Sequence, residues 1–412
     1  PGFGALLLAV KEKDGFRYAG KVGTGFSDKV LTDLSKKLRK LIIPTTAVLG
    51  APRMRDATWV EPRLVAEVSF TEWTRDGSLR HPSFLGLRED KEAGETVRER
   101  ARSPSKKKLP SLPAAKGNVV DGVTISHPER VVDEDSKITK LDLARYHELV
   151  VPLLLPYADH RPLALVRCPE GTKAKCFFQK KRWAGSPSSV HPGKAAGQEV
   201  LYVTDANGLI SLVQFGAVEL HGWGSRFPHA AKPDWIVMDL DPDEGLPFPK
   251  VIEAALEMRE VLRSIGLESF VKTTGGKGLH IVAPFEPEFT WTEVKSLTQA
   301  IAHDFARRKP EDFTANMAKR ARTGKIFVDY HRNGEGATAV LPYSPRTKPG
   351  MTVAMPVPWR DLRHVDPLAF TVRTVPAHLK KRKKDPWAAF FSLGQKLPDE
   401  VRHGPRANRD GA

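Results

Sequence analysis

Cysteine is scarce in this chain of 412 residues, which contains only Cys168 and Cys176. So few cysteines argue against a disulfide framework and against a structural zinc site. We expect both side chains to lie in the core or near a functional site, in a reducing cytoplasm. Long apolar runs are also missing, so neither a membrane-spanning helix nor a membrane partner is expected. The N-terminal residues have no basic leader and read as a strand entered within a protein, not as a signal peptide.

Acidic residues are outnumbered by basic ones. The chain has 65 Lys and Arg residues against 49 Asp and Glu residues, which gives a formal net charge of +16. This balance favours a polyanionic partner such as nucleic acid, although a generically basic surface would give the same count. The content of 40% hydrophobic residues is that of a globular protein, and the length predicts about two or three domains.

Composition divides the chain into four parts. The first, residues 1–92, predicts a five-stranded OB barrel, because strand patterns surround a single helical pattern. The strand patterns are 6–10, 16–22 and 64–73, and the helical pattern is 27–41 with Ser27 as its N-cap. Residues 93–117 are rich in Lys, Arg, Pro and Ser without apolar periodicity. They therefore predict a basic linker, which either follows a DNA backbone or serves as a simple tether.

The third part, residues 118–395, alternates helical and strand patterns and so predicts a mixed α/β domain. Helices are predicted at 141–155 and 248–265, and strands at 162–167, 236–241, 270–273, 280–283 and 326–330. The aromatic stretch 387–391 follows a basic run, and we expect it to pack back on this domain. The fourth part, residues 396–412, is predicted to be a flexible tail.

Two aspartates, Asp239 and Asp241, lie at the end of the apolar run Asp234-Trp-Ile-Val-Met-Asp-Leu-Asp241. In a strand, side chains two residues apart share a face and lie roughly 6–7 Å apart. Two ionised carboxylates at that distance repel, and a divalent cation such as Mg²⁺ or Mn²⁺ removes the repulsion. In a basic chain this pair suggests nucleotidyl transfer, although most Asp-x-Asp pairs are surface turn residues.

A glycine-rich segment follows, Lys272-Thr-Thr-Gly-Gly-Lys-Gly-Leu-His280. Its glycines leave backbone amides free to approach phosphates, Lys277 supplies a charge, and His280 offers an imidazole donor. The spacing is not that of a Walker P-loop, and a plain glycine-rich hairpin remains the alternative.

Three further segments complete the set of candidate site residues. Gly324-Lys-Ile-Phe-Val-Asp-Tyr330 is a second strand pattern ending in a carboxylate, Asp329, and an arginine, Arg346, follows Leu341-Pro-Tyr-Ser-Pro. A third carboxylate and a second phosphate-binding base are what a two-metal nucleotidyl transfer site requires. Phe177 and Phe178 could stack on a nucleobase, although core packing of one of them is the safer interpretation.

In their order and in their residue sequences, these segments closely resemble the polymerase domain of bacterial DNA ligase D, between about residues 127 and 359. That domain belongs to the archaeo-eukaryotic primase superfamily and works in non-homologous end joining. The resemblance implies central mixed β-sheets flanked by helices, two Mn²⁺ or Mg²⁺ ions, an NTP or dNTP substrate, and a preference for ribonucleotides and manganese. It also implies two partners, double-stranded DNA ends with a 5′-phosphate and bacterial Ku.

The resemblance assigns roles to individual residues. It implies that Asp239, Asp241 and Asp329 are the metal ligands. The residues that would bind the triphosphate are Thr274, Lys277, His280 and Arg346, and those in or near the base and ribose pocket are Phe177, Phe178, Lys180 and Arg167. Arg130 and Lys140 would bind the DNA 5′-phosphate. The family usually has Ser where Thr274 stands and Lys where Arg130 stands, so the hydroxyl and the charge are kept.

Nearly all of residues 3–91 resemble the C-terminal OB domain of ATP-dependent DNA ligases, through segments such as Arg80-His-Pro-Ser-Phe-Leu-Gly-Leu-Arg-Glu-Asp-Lys91. The resemblance implies that Arg88, Asp90 and Lys91 approach the ATP phosphates. Ligation also needs a nucleophilic lysine in a Lys-x-Asp/Asn-Gly motif. The nearest segment, Glu12-Lys-Asp-Gly15, has Glu at that position. We therefore expect this chain to be part of a longer ligase–polymerase protein and not to seal nicks by itself.

Three functions remain open. The leading hypothesis is a DNA-end repair polymerase. The alternatives are a non-catalytic DNA-end-binding module that tethers a partner, and an ATP-dependent ligase activity of the intact parent protein. The three carboxylates favour catalysis, because a binding module has no need to cluster like charges.

Overall fold

The structure, a computed structural model, describes residues 3–12, 14–26, 28–46, 48–52, 54, 56–70, 72–74, 77–80, 82–88, 93–96 and 117–403. Two compact units make up the chain, Pro1–Lys107 and Lys108–Ala412. The division between them falls inside the stretch that composition marks as a linker. None of the helices in the described ranges combines the length and apolar character that crossing a bilayer demands.

In its described residues, the first unit consists of short antiparallel strand pairs, one α-helix and a short 3-10 helix at Ala93–Glu95. Its elements are β1 (Leu6–Glu12), β2 (Gly15–Val22), α1 (Asp28–Arg39), β3 (Ala66–Ser69), β4 (Glu72–Trp73), β5 (Leu79–Arg80) and β6 (Ser83–Leu87). β1 pairs with β2, β3 with β6 and β4 with β5, and the described residues of this unit show no closed barrel. Val22, Leu34 and Phe84 form the centre of its core. The N-cap predicted at Ser27 lies outside the described residues.

The second unit contains the remaining helices and strands. Its strands are β7 (Val119–Val120), β8 (Val123–Thr124), β9 (Val131–Asp133), β10 (Ile138–Thr139), β11 (Leu163–Arg167), β12 (Phe177–Gln179), β13 (His191–Ala195), β14 (Gln198–Tyr202), β15 (Ala217–Gly222), β16 (Trp235–Pro242), β17 (Phe270–Thr273), β18 (Leu279–Pro284), β19 (Phe313–Thr314), β20 (Ile326–Asp329), β21 (Ala339–Val340) and β22 (Pro356–Val357). Its helices are α2 (Lys140–Ala158), α3 (Ala206–Gln214), α4 (Phe248–Ser264), α5 (Trp291–Arg308), α6 (Lys319–Arg322) and α7 (Val375–Lys381).

Two six-stranded sheets organise this unit. The first has the order β13-β14-β11-β15-β21, with β12 also pairing with β11, and the second has the order β19-β20-β16-β18-β17-β22. In the second sheet β19 and β20 run parallel, whereas β20, β16, β18, β17 and β22 pair antiparallel. The mixed α/β prediction for this part of the chain is confirmed.

The central strand β16 is buried on both faces, which explains its continuous apolar run. Trp235 and Val237 contribute to one hydrophobic core, together with residues of α2 and α3. Ile236, Met238 and Leu240 contribute to another, together with residues of α4 and α5. The alternation therefore places Asp239 and Asp241 on the face of Trp235 and Val237, at the end of the strand.

The two cysteines form a disulfide, contrary to the expectation of separate thiols. Cys168 directly follows β11 and Cys176 directly precedes β12, and these strands are antiparallel neighbours. The hairpin turn thus brings the two Cα atoms to 4.4 Å. Scarcity of cysteine excluded a disulfide framework but could not exclude one local bridge. Cys168 is buried, as expected.

The C-terminal residues of the second unit pack against its hydrophobic cores. Trp387 and Phe390 are buried against Tyr157 and Phe270, which confirms the prediction for the aromatic stretch. Within the predicted tail, residues 396–412, Leu397 is buried in a core. A short 3-10 helix follows at Asp399–His403, and residues 404–412 lie outside the described part.

Candidate active site

The predicted carboxylates meet on one face of the second sheet. Asp239 of β16 lies directly opposite Asp329 of β20 in the antiparallel register, and Asp241 is two residues further along β16. Asp329 shares the face because Ile326 and Val328, which alternate with it, point into the core on the other side. Asp239 and Asp329 are buried, whereas Asp241 is exposed. The structure thus brings together the three residues that the sequence identified.

Arginines pair with these carboxylates. Nε of Arg332 lies 3.2 Å from Oδ2 of Asp239 and 3.4 Å from Oδ2 of Asp329. Nη1 of Arg322 lies 3.3 Å from Oδ2 of Asp241. In the described residues, no group of three or more His, Cys, Asp or Glu side chains has the geometry to hold a metal ion. In this arrangement the two guanidinium groups offset part of the acidic charge of the three carboxylates.

Burial and charge separate the acidities of the three carboxyl groups. Burial alone would raise the pKa of Asp239, but His280 and Arg332 outweigh it and hold that pKa well below its usual range. Burial and the neighbouring Asp239 raise the pKa of Asp241 and of Asp329. As pH rises, Asp239 is therefore the first of the three carboxyl groups to ionise.

A hydrogen-bonded chain supports Asp239 from the other side. His280 of β18 lies opposite Asp239, with Nε2 at 3.3 Å from Oδ2. Nζ of the buried Lys272 is 3.0 Å from His280 Nδ1. Because an ionised carboxylate only accepts, His280 donates to Asp239 from Nε2, which leaves Nδ1 of the neutral ring as the acceptor facing Lys272. Burial, then Lys272, lowers the pKa of His280 to about 4, so the ring is neutral near pH 7.

The carboxylates fit a divalent cation by their chemistry. Hard oxygen donors from three side chains on one face suit Mg²⁺ or Mn²⁺. The arginines occupy part of the same space, because Arg332 bridges two of the carboxylates. Cation binding would therefore require the Arg332 side chain to move away from Asp239 and Asp329.

The glycine-rich segment forms a tight turn between β17 and β18. The amide and the hydroxyl of Thr274 both donate to the Gly278 carbonyl, at 3.2 Å. Gly275 has a φ of +71°, and a Cβ there would lie 2.5 Å from Cγ of Arg346. Arg346 packs against the turn and donates from Nη1 to the Thr274 carbonyl. The structure thus places Arg346 beside the turn, as a shared phosphate site requires.

Lys277 points along the same edge of the sheet. Its Nζ donates to the Glu244 carbonyl at 2.9 Å, and the side chain is exposed. Glu244 belongs to the connection between β16 and α4. The lysine therefore lies between the glycine turn and the loop that follows the two aspartates of β16.

The paired phenylalanines are exposed. Phe177 and Phe178 have 40% and 65% of their surface accessible, so the safer interpretation, core packing of one of them, is wrong. Phe178 lies 6.2 Å from the ring of His221. Arg167 is anchored, because Nε donates to the Phe215 carbonyl at 2.9 Å and its guanidinium lies over the ring of Trp183. Lys180 is exposed.

Arg130 and Lys140 are brought together at the start of α2. The Lys140 amide donates to the Arg130 carbonyl at 2.8 Å. Lys140 is buried and its Nζ donates to the Ser126 carbonyl at 3.0 Å. Burial, then Arg130, lowers the pKa of the Lys140 ammonium. Two neighbouring cationic side chains provide a favourable place for a phosphate.

The ligase-like residues lie in the other unit. Nη1 of Arg88 is 3.6 Å from Oε2 of Glu67. Asp90 and Lys91 are outside the described residues. Their roles therefore stay predictions.

Sequence reasoning missed three side chains of the site, Glu219, His221 and Arg332. Glu219 and His221 alternate with the buried Val218 and Leu220 along β15. Polar residues that interrupt a buried strand at a spacing of two were the available signal. Arg332 had no such signal, because it follows Asp329 in a short 3-10 helix, His331–Asn333.

Comparison with protein families gives two matches. Residues 139–387 match the LigD primase-polymerase domain. Residues 1–91 match the C-terminal region of ATP-dependent DNA ligases. The first match covers more than half of the chain.

Individual relatives agree with these matches. The multifunctional non-homologous end joining protein LigD of Pseudomonas aeruginosa is 36% identical over 97% of this chain and 49% of its own length. The bifunctional LigD of Bacillus subtilis is 30% identical over 83% of this chain and 53% of its own length. The chain thus spans about half the length of these two relatives. The polymerase domain of Mycobacterium tuberculosis ligase D, solved in complex with DNA, has a TM-score of 0.61 at 28% identity and covers 67% of this chain and 99% of the solved one.

Proposed function

Because this chain belongs to the LigD primase-polymerase family, we propose that it adds nucleotides to the 3′-hydroxyl of gapped or broken DNA ends. The observation on which this rests is the meeting of Asp239, Asp241 and Asp329 on one sheet face. Three carboxylates on one face repel one another, and they supply the hard oxygen donors that a divalent cation prefers. The finer assignments of nucleotide, metal and partner are parts of the same proposal.

Asp239, Asp241 and Asp329 would hold the two divalent ions, Mn²⁺ or Mg²⁺. A bound ion would supply Lewis-acid activation of the 3′-hydroxyl and neutralise the charge that develops on the triphosphate. Arg332 offsets part of the acidic charge in the absence of cations, since its Nε contacts both Asp239 and Asp329. For these carboxylates to hold cations, Arg332 would have to give up its contacts to Asp239 and Asp329.

The glycine turn and its neighbours would bind the triphosphate of an NTP or dNTP. The donors would be Thr274, Lys277, His280 and Arg346 at one end of the second sheet. The Thr274 amide and hydroxyl, the Lys277 ammonium and the His280 ring have partners within the protein, so they would exchange these partners for phosphate oxygens. The exposed rings of Phe177 and Phe178 would stack on the base. Lys180 and Arg167 would border that pocket. We further propose a preference for ribonucleotides and manganese, as the family resemblance implies.

Arg130 and Lys140 would bind the 5′-phosphate of the DNA end. The support is their proximity at the start of α2 and the burial of Lys140, which strengthens its interaction with an anion. The net charge of +16 favours the rest of the DNA backbone. The related mycobacterial domain was solved with DNA.

The role in the intact protein is also a proposal. The relatives are named as non-homologous end joining proteins, so we propose end joining as the process and bacterial Ku as a partner. The first unit matches the ligase C-terminal region, and Arg88, Asp90 and Lys91 would approach ATP phosphates in an intact ligase. The present sequence contains no Lys-x-Asp-Gly motif, so this chain alone should not seal nicks.

Primer extension tests the proposal. Wild type, D239A plus D241A, and the control D361A plus D366A would be compared on a gapped DNA with Mn²⁺ and ribonucleotides. The control removes two carboxylates from a part of the chain away from β16 and β20. We expect wild type and control to extend the primer, and the D239A plus D241A variant to bind DNA without extending it. Equal extension by that variant would refute the catalytic assignment.

The runner-up is a non-catalytic module that binds DNA ends. The ion pairs of Arg332 and Arg322 favour it, because carboxylates already neutralised by arginine need no cation. The same experiment separates the two functions. DNA binding by the wild type without any extension, under every combination of Mn²⁺, Mg²⁺ and nucleotide, would establish the binding module.

A further inference from the structure

Glu219 is a buried carboxylate that no step of nucleotide addition requires. It lies on β15 with 4% of its surface accessible. Its neighbours Val218 and Leu220 point into the hydrophobic core, so Glu219 and His221 share the opposite face of the strand. An ionised side chain at such a position is costly unless every acceptor is satisfied.

Each carboxylate oxygen of Glu219 accepts two hydrogen bonds. Oε2 accepts from His221 Nε2 at 2.8 Å and from Arg346 Nε at 2.8 Å. Oε1 accepts from the Thr347 amide at 2.7 Å and from the Thr347 hydroxyl at 2.6 Å. Burial would raise the pKa of Glu219, but these donors outweigh it and lower the pKa to about 2. The carboxylate is therefore a fixed acceptor for three residues.

The partners of Glu219 reach opposite ends of the nucleotide pocket. Arg346 donates from Nη1 to the Thr274 carbonyl in the glycine turn. His221 directs its ring towards Phe178, 6.2 Å away. One carboxylate thus connects the triphosphate end of the pocket with its base-stacking end.

We propose that Glu219 is a positioning residue that holds Arg346 and His221 in the orientations that bind a nucleotide. This inference rests on the proposed function, because that function is what assigns the nucleotide pocket to these residues. The bond from His221 Nε2 to Glu219 leaves Nδ1 of that ring as the atom available to a ligand. The bond from Arg346 Nε leaves its second terminal nitrogen, Nη2, for a phosphate oxygen.

E219Q is the informative substitution. Glutamine has nearly the same volume, but it offers one acceptor oxygen where four donors converge, and its amide NH₂ would face two of them. We expect the nucleotide KM to rise by about tenfold or more, as loss of charge-assisted hydrogen bonds predicts. DNA affinity should be unchanged. A nucleotide KM equal to that of wild type would overturn the proposal.

D234N is the matched control for a merely structural role. Asp234 also pairs with a buried arginine, with Oδ1 at 2.8 Å from Arg161 Nη1, but it lies at the start of β16, away from the carboxylate cluster. We expect D234N to lower the unfolding temperature and to leave the nucleotide KM unchanged. An equal rise in KM for D234N and E219Q would show that KM follows stability, and would overturn the positioning role.

A double-mutant cycle with R346A tests whether Glu219 acts through Arg346. If it does, E219Q should cost much less nucleotide affinity in the R346A background than in wild type. Fully additive losses would overturn the proposal. Affinity is measured by quenching of a fluorescent ribonucleoside triphosphate, which needs no turnover. The two proposals can fail separately. If wild type binds the nucleotide without extending a primer, and E219Q binds the nucleotide weakly, the polymerase function is refuted and the positioning role of Glu219 still stands.

Discussion

Asp239 and Asp329 lie directly opposite each other on adjacent antiparallel strands, and one guanidinium, that of Arg332, contacts both. A cation and Arg332 would therefore compete for the same two carboxylates. The metal-free state is stabilised by the arginine, and the metal-bound state should release it. This competition gives a prediction that does not depend on turnover.

R332A should destabilise the metal-free protein and increase its response to Mn²⁺. Loss of a partly buried charged partner costs about 1–3 kcal/mol, so the unfolding temperature should fall by several degrees. Added Mn²⁺ should then raise that temperature more in R332A than in wild type, because no guanidinium has to be displaced. The control is R360A, whose exposed arginine pairs with Asp361. The same Mn²⁺-induced rise in all three proteins would exclude competition at these carboxylates.

K140A should weaken gap filling selectively. Lys140 lies beside Arg130 at the start of α2, and loss of its charge should lower activity on a 5′-phosphorylated gap more than on an unphosphorylated one. Parallel assays on the two gaps measure this ratio, with K232A as the control for general charge loss. An equal effect of K140A on both substrates would leave only nonspecific attraction to DNA.

Reductant should destabilise the second unit through the Cys168–Cys176 bridge. The bridge joins residues 8 apart in sequence, and closure of a loop of this size restricts the unfolded chain by about 2–3 kcal/mol. Dithiothreitol should therefore lower the unfolding temperature of wild type but not that of C168S plus C176S. If reductant leaves wild type unchanged, the two thiols are not bonded in the protein.

His147 should make the protein sensitive to acid. Burial lowers its pKa from the ordinary histidine value to about 4, although Nδ1 donates to the Leu143 carbonyl. The unfolded chain then binds a proton that the folded one does not, so stability is lost as pH falls from about 6.5 to about 4, by roughly 3 kcal/mol. H147Q should flatten this part of the stability–pH curve, while H229Q, an exposed change, should not. A curve for H147Q parallel to that of wild type would contradict the assignment.

Local periodicity was sufficient for part of the site. The alternation in the run before Asp239 predicts that Asp239 and Asp241 share a face, and glycine spacing predicts the turn at Thr274. The predicted strand at 270–273 agrees with Phe270–Thr273. These features depend on residues close in sequence, where the backbone geometry alone decides which side chains are neighbours.

The remaining features depend on pairing between distant segments. The register of Asp239 with Asp329 is set by β16 and β20, and the contact of Glu219 with Arg346 joins residues 127 apart. No local pattern fixes such a register, so family resemblance was needed to group the carboxylates, and Glu219 was missed. The disulfide was missed for a different reason. The expectation of a reducing cytoplasm was given more weight than the hairpin between β11 and β12, which brings Cys168 and Cys176 together.

Binding of Mn²⁺ followed by electron paramagnetic resonance tests whether these carboxylates are the cation site. Free Mn²⁺ gives a strong signal that decreases on binding, so wild type, D239N plus D329N, and the surface control D361N can be titrated in the absence of DNA and nucleotide. We predict that wild type and D361N deplete the free signal alike and that D239N plus D329N does not. Equal depletion by all three would contradict a cation site on this face of the sheet.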